Sequence, residues 1–301
     1  MKIPKGRSAG RQKPATGQTK QPSKEKSLPL IKAIPPAVHW LALFGAILGF
    51  LLYASTLNYG YVLDDYSVIK DNRVTRQGWG AFPEVLVKSY RYGYYFLNDE
   101  LYRPLVKAIF AIQWALAPDT PALGHITNVV FYSLTGALLM YMWFLFTGHT
   151  WISFATTVLF ICHPVHTEVV ANIKSLDEIL SLFFLILVFI LIHRRIYAPS
   201  SWHLPLAFLC YLLSLFSKES GITFVVIFPV FIWFFARTSI GLNARISLVL
   251  FSAALLFLII RFEVLEGQLK TTFSIADNLL MAARNEAERM ATAVSILGRY
   301  L

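Results

Sequence analysis

Apolar runs punctuate the chain at 37–56, 126–146, 151–165, 177–192, 203–217, 221–236 and 246–260. A straight helical crossing of a bilayer takes about 20 residues, within a usual range of about 17–25. Several runs are shorter, so their ends draw on flanking polar residues. Helix follows almost by necessity, because lipid gives backbone amides no other partner unless a barrel closes. One further apolar stretch, PLVKAIFAIQWALA at 104–117, has only 14 residues and is interrupted by Lys107 and Gln113. That pattern fits a helix lying at the interface. WGAFPEVLV at 79–87 is a second such candidate. The expected fold is all-α: a polytopic integral membrane protein of about seven transmembrane helices, with a long outer loop between the first and second spans carrying interfacial helices.

Orientation follows from where the basic residues fall. With 104–117 outside the count of crossings, the short loops HRRIYAPSSW and ARTSIGLNAR lie together on one side. They carry Arg194, Arg195, Arg237 and Arg245. The positive-inside rule makes that side cytoplasmic, puts the N-terminus inside and leaves 57–125 outside.

Composition supports the membrane assignment. Of 301 residues 56% are hydrophobic and 15% charged, against about 25% charged in soluble domains. The formal charge of +10 is concentrated at one end, since nine of the 27 Lys and Arg lie in residues 1–32 beside one acid, Glu25. The expected organisation is a disordered basic cytoplasmic tail over 1–36, touching anionic membrane lipids, then one membrane domain over 37–301. That location argues against nucleic-acid binding. Cys162 and Cys210 fall inside apolar runs and imply neither a disulfide framework nor a cysteine metal site.

Polar residues collect on the outer side. Asp64 and Asp65 stand just after the first span. As a solvated helix end they need no function; at a low-dielectric boundary one can serve as a base while its neighbour is held by hydrogen bonds. Arg103, before Pro104, either anchors an interfacial helix or offers a guanidinium fork to a phosphate. His125 and Asn128 are three apart at the start of the second span, as caps or as site residues. HPVHTEVVANIKSLDEI contributes His163, His166 and Glu168. The His-x-x-His spacing departs from the i, i+4 pair of helical zinc sites, which favours a cluster facing substrate. Lys218 and Glu219 follow on the next outer loop, where a lysine suits a lipid phosphate. Four outer loops with such groups suggest one polar chamber bordered by lipid.

VLDDYSVIKDN, LYRPL, GHITNVVFYSL, FICHPVHTEVVANIKSLDEILSLFF, FSKESGIT and DNLLMAARNEAERMATAVSILGRYL occur in an order that resembles the membrane part of the transmembrane and tetratricopeptide repeat-containing proteins. These are C-type integral-membrane glycosyltransferases related to protein O-mannosyltransferases. The resemblance runs from about residue 38 to residue 301, and HPVHTE and SKESGIT are its most specific parts. Two departures stand out. Lys174 and Ser175 occupy the place of a Gly-Arg, and the chain ends at GRYL where the family continues into further spans and repeats. No 34-residue repeat period is present, so a truncated, C-type glycosyltransferase-like fold is expected.

The resemblance implies transfer of a sugar, mannose being one candidate, from a polyprenyl-phosphate donor to a protein hydroxyl or a glycan on the non-cytoplasmic face. It makes Asp64 the base, with Asp65 positioning it or the acceptor. Arg103 and Lys218 hold the lipid phosphate; His125, Asn128, His163, His166, Glu168 and Glu219 shape the pocket. The class includes enzymes with and without a divalent cation (Mg or Mn), and Asp65 with Glu168 are the oxygen ligands on offer. Two rivals remain: an inactive membrane scaffold or fragment, and a transporter, which should carry its charges nearer the midplane. The basic tail and the lack of an Asn-x-Ser/Thr sequon in the long outer loop lean toward a bacterial inner membrane over the endoplasmic reticulum.

Overall fold

The structure is a computed structural model and describes residues 33–94, 100–236, 238–266, 282–283 and 285–299. Most of the expected basic tail therefore lies outside the described residues. In chain order the α-helices are α1 (Pro36–Tyr53), α2 (Phe82–Val87), α3 (Pro104–Leu116), α4 (Pro121–Thr147), α5 (Thr150–Ile161) and α6 (His166–Val170). They continue with α7 (Leu176–Tyr197), α8 (His203–Ser217), α9 (Phe224–Phe231), α10 (Ile240–Leu265) and α11 (Glu286–Arg299). No strand occurs among the described residues.

Five helical segments are long and apolar enough to cross a membrane: Pro36–Asn58, Pro121–Thr147, Ile173–Tyr197, Glu219–Ala236 and Ile240–Leu265. The other two of the seven expected spans form α5 and α8, of 12 and 15 residues. α5 stops early because Pro164 disfavours helical backbone at the preceding His163. The stretch at 104–117 is a helix of 13 residues, α3, below the length of a crossing. The segment at 79–87 is helical too, as the end of a 3-10 turn running into α2.

α4 and α7 form the centre, with about half of their residues buried, whereas the segments of α9 and α10 bury about a fifth. Close approach at the centre depends on small side chains, as expected where helices gain nothing from the hydrophobic effect by leaving lipid. Gly45 and Gly49 of α1, one turn apart, face α5 and α4: a Cβ on Gly45 would meet Ile161 and Thr157 at 3.5 Å, and one on Gly49 would meet Ser133 at 3.5 Å. A Cβ on Gly136 would lie 2.6 Å from Ile161, and one on Gly124 2.4 Å from Ile173, so neither site admits a larger residue without movement.

The helices alternate in direction, so the tight turns α4–α5, α7–α8 and α9–α10 share one end of the bundle. Trp40, Trp151, Trp202 and Trp233 are all exposed there, as an interfacial aromatic belt requires. The loops bearing Asp64, Arg103, Lys174 and Lys218 gather at the opposite end.

Candidate functional site

The chain leaves α1 through a 3-10 turn and reverses at residues 62–65. The amide of Asp65 donates to the carbonyl of Val62 at 2.9 Å, and the amide of Val62 donates to Asp65 Oδ2 at 2.9 Å. This mutual pair closes the turn and leaves Leu63 at φ 44°, a left-handed conformation that costs a non-glycine residue energy. The other oxygen, Oδ1, accepts the amide of Lys174 at 2.8 Å, tying this loop to the start of α7. Asp65 is fully buried with both oxygens occupied. Burial pushes its pKa above the usual carboxylate range, against the lowering effect of the two amides.

Its neighbour faces another way. Asp64 is 44% exposed and sits between two cations, Arg91 at 3.1 Å and Lys174 at 4.0 Å. Lys174 also reaches Asp177 at 3.5 Å. The pair Lys174–Ser175 stands where the resemblance leads one to expect Gly-Arg, and it still supplies a cation.

Deeper in, Arg103 donates from Nη1 to Asp177 Oδ2 at 2.5 Å and from Nε to Glu219 Oε2 at 3.0 Å. Its guanidinium carbon lies 5.4 Å from the centre of the Tyr90 ring, within cation–π range. Glu219 takes the amide of Tyr102 on its other oxygen, at 2.8 Å. Burial alone would pull the guanidinium pKa down, but Asp177 and Glu219 outweigh it and hold the group more firmly protonated than usual. Asp177 is wholly buried, and its Oδ1 has no hydrogen-bond partner.

Lys218 pairs with Glu178 beside this centre. Burial lowers the Lys218 pKa; Asp177 and Glu219 oppose that, while Arg103 and Lys174 add to it, so all four lie within electrostatic reach. Four cations (Arg91, Lys174, Arg103, Lys218) thus meet four carboxylates (Asp64, Asp177, Glu219, Glu178) drawn from five chain segments.

Of the residues singled out in sequence, Asp64, Asp65, Arg103, Lys218 and Glu219 come together here. His125 and Asn128 are buried in the wall behind. Asn128 Nδ2 donates to the carbonyl of Asn172 at 2.8 Å, and His125 Nε2 lies 3.4 Å from the carbonyl of Gly60. They hold backbone loops and are closed to a substrate. His166 packs its ring against Phe160, 4.3 Å between centroids, and lines a groove of about 330 Å³. Burial, with help from His163, lowers its pKa. His163 and Glu168 are exposed, and among the described residues no ion pair joins Glu168 to the cluster. No set of three or more His, Cys, Asp or Glu among the described residues can hold a metal ion. Asp65, with both oxygens on amides, makes a poor partner for Glu168, so the donor set does not fit a divalent cation.

Sequence reasoning missed Asp177, Glu178 and Arg91. Asp177 and Glu178 had a signal: adjacent acids opening an apolar run, where charge is tolerated only beside a partner or a cavity.

The fold and its site define a class: a polytopic helical membrane protein with an ionic centre built between the loops at one end of the bundle. In sequence the chain is related to the TMTC protein O-mannosyl-transferases. It is 27% identical to human protein O-mannosyl-transferase TMTC3 across 84% of this chain and 29% of that protein. It is 28% identical to human TMTC2 across 63% of this chain and 23% of that protein. For human TMTC1 the identity is 29%, over 48% of this chain and 17% of that protein. The chain thus spans less than a third of the length of these relatives. No protein-family profile matches it. No solved structure matches it either.

Proposed function

We propose that this chain forms the membrane-embedded site of a glycosyltransferase that moves a sugar, with mannose the first candidate, from a polyprenyl-phosphate carrier to a protein hydroxyl. The observation that carries this reading is the contrast between Asp64 and Asp65. Asp65 is spent on the fold, while Asp64 is 44% exposed between two cations, Arg91 and Lys174. In the reaction the acceptor oxygen attacks the anomeric carbon as its proton passes to Asp64. The bond from that carbon to the phosphate oxygen breaks, its electron pair leaves with the lipid phosphate, and the anomeric configuration inverts. Lys218 stabilises the charge that grows on the phosphate. Arg103, held by two carboxylates, supports the site from behind. No step is assigned to a metal.

The similarity to proteins named O-mannosyl-transferases supports the sugar and the protein acceptor. Asp64→Asn, in the protein carrying this membrane segment, should abolish mannose transfer from a radiolabelled polyprenyl-phosphate donor while insertion into the membrane is unchanged. Retained transfer removes Asp64 from the mechanism.

A scaffold is the second reading, favoured by the balance of charges: each cation of the cluster already faces a carboxylate. Donor-dependent transfer by the unaltered protein eliminates it. The charges gather at helix ends, away from the midplane, which disfavours a transporter.

The same reading puts the site on the non-cytoplasmic face, with the N-terminus inside and, by the sequence lean, in a bacterial inner membrane. Ser220 and Ser200 are exposed at opposite ends of the bundle. Ser220→Cys should take an impermeant thiol reagent from outside intact cells, and Ser200→Cys only after lysis. The reverse pattern overturns the orientation.

A further inference from the structure

We infer that Glu178 is a gate that holds the place of a lipid phosphate on Lys218 until that phosphate displaces it. The inference rests on the proposed donor and adds a residue that governs its entry. The groove of about 330 Å³ runs between α4, the end of α5 and the start of α7. That volume is at the small end of ligand pockets. Its walls are mostly apolar: Tyr132, Phe160, Val165, Ile179 and Leu182, with His166 beside them. One carboxylate, Glu178, also lines it, and this carboxylate pairs with Lys218.

An acid in an apolar groove needs a reason. Asp177, one residue earlier, is fully buried and locked by Arg103 and Lys174, whereas Glu178 is 43% exposed and, among the described residues, held by Lys218 alone. Lys218 is more covered, at 19%, and lies among Asp177, Arg103, Lys174 and Glu219. The ammonium is therefore fixed and the carboxylate is the movable partner. A groove with greasy walls, whose one carboxylate is paired with a fixed ammonium behind it, fits an amphiphile with an anionic head, and an isoprenyl phosphate has that form. A phosphate brings more acceptor oxygens than the carboxylate it replaces, and an ion pair this exposed is weakly held. In the resting state Glu178 neutralises Lys218 and repels anions that lack the chain to fill the groove.

The test is binding to the purified full chain in detergent micelles, with farnesyl monophosphate, farnesol and inorganic phosphate as probes. Glu178→Gln should bind farnesyl monophosphate about tenfold more tightly than the unaltered chain and farnesol equally. Glu178→Asp, which keeps the charge, should stay near the unaltered affinity. Inorganic phosphate should bind far more weakly than farnesyl monophosphate throughout. Lys218→Gln should lose the lipid phosphate. Suppose Lys218→Gln loses binding but Glu178→Gln binds no more tightly: the gate is then wrong and the donor reading survives. Unchanged binding by Lys218→Gln overturns both. Equal affinity for inorganic phosphate removes the groove as the lipid's seat.

Discussion

The charges of the cluster fall into two layers that behave differently. The inner layer, Arg103, Asp177 and Asp65, is buried, and most of its hydrogen bonds go to partners far away in sequence. The outer layer, Asp64 with Arg91 and Glu178 with Lys218, is partly exposed and held by single ion pairs or loose ones. Buried charge is tolerated only beside opposite charge, because desolvation costs more than any one pairing returns. Burial beside opposite charge therefore marks groups that hold loops together, and partial exposure marks groups a substrate can reach. Adjacent residues, Asp64 and Asp65, lie on opposite sides of that line.

The sharpest break of this contrast is at Arg103. Arg103→Leu leaves the buried Asp177 with only its longer contact to Lys174 and takes the ion-pair partner from the largely covered Glu219, and should cost about 3–5 kcal/mol of stability, as removal of one partner of a buried pair does. Thermal unfolding in detergent measures it. The double variant Arg103→Leu/Asp177→Leu should recover part of the loss, since no lone charge remains at Asp177. A double variant as unstable as the sum of its singles contradicts the inner-layer role. Next in size is Asp65→Ala, which removes the acceptor of two backbone amides and should cost about 1–3 kcal/mol. Faster hydrogen exchange should be confined to the amides of Val62, Lys174 and their neighbours. At Asp64 the order inverts: Asp64→Asn should change stability by less than about 0.5 kcal/mol, though transfer is lost. A large drop in melting temperature there moves Asp64 into the inner layer.

Much of the fold was legible because lipid narrows the choice of structure. The run at 203–217 matches α8 residue for residue, and the break after α5 was legible in Pro164. The helix begins at Pro121, five residues before the apolar run at 126–146, which leaves His125 just ahead of the run and Asn128 near its start. In the structure both are buried against backbone carbonyls, a partner no pattern of side chains advertises. The site was legible as a set of polar loops sharing one end. What the sequence could not provide was the pairing. Nothing along the chain says that Asp65 meets the amide of Lys174, 109 positions on, or that Arg103 meets Asp177. For Arg103 the residues alone leave open an interfacial anchor or a phosphate fork; in the structure its Nη1 and Nε go to Asp177 and Glu219.

The smallest expected effect compares His166, at the groove, with Asp65, in the inner layer, because their titrations pull stability in opposite directions. Burial lowers the His166 pKa in the folded chain. Its contribution is complete above the unfolded value of about 6.5 and is lost as pH falls toward the folded value. Burial raises Asp65. Its contribution is complete below the unfolded value of about 3.9 and is lost as pH rises through the folded value. Below about pH 6.5 the melting temperature should therefore fall on acidification wherever His166 dominates. His166→Phe keeps an aromatic ring against Phe160 and removes the proton site, so this part of the slope should flatten. Asp65→Asn should leave it in place. If His166→Phe melts with the same pH slope as the unaltered chain, the acid sensitivity belongs to another group and the groove is not where protonation acts.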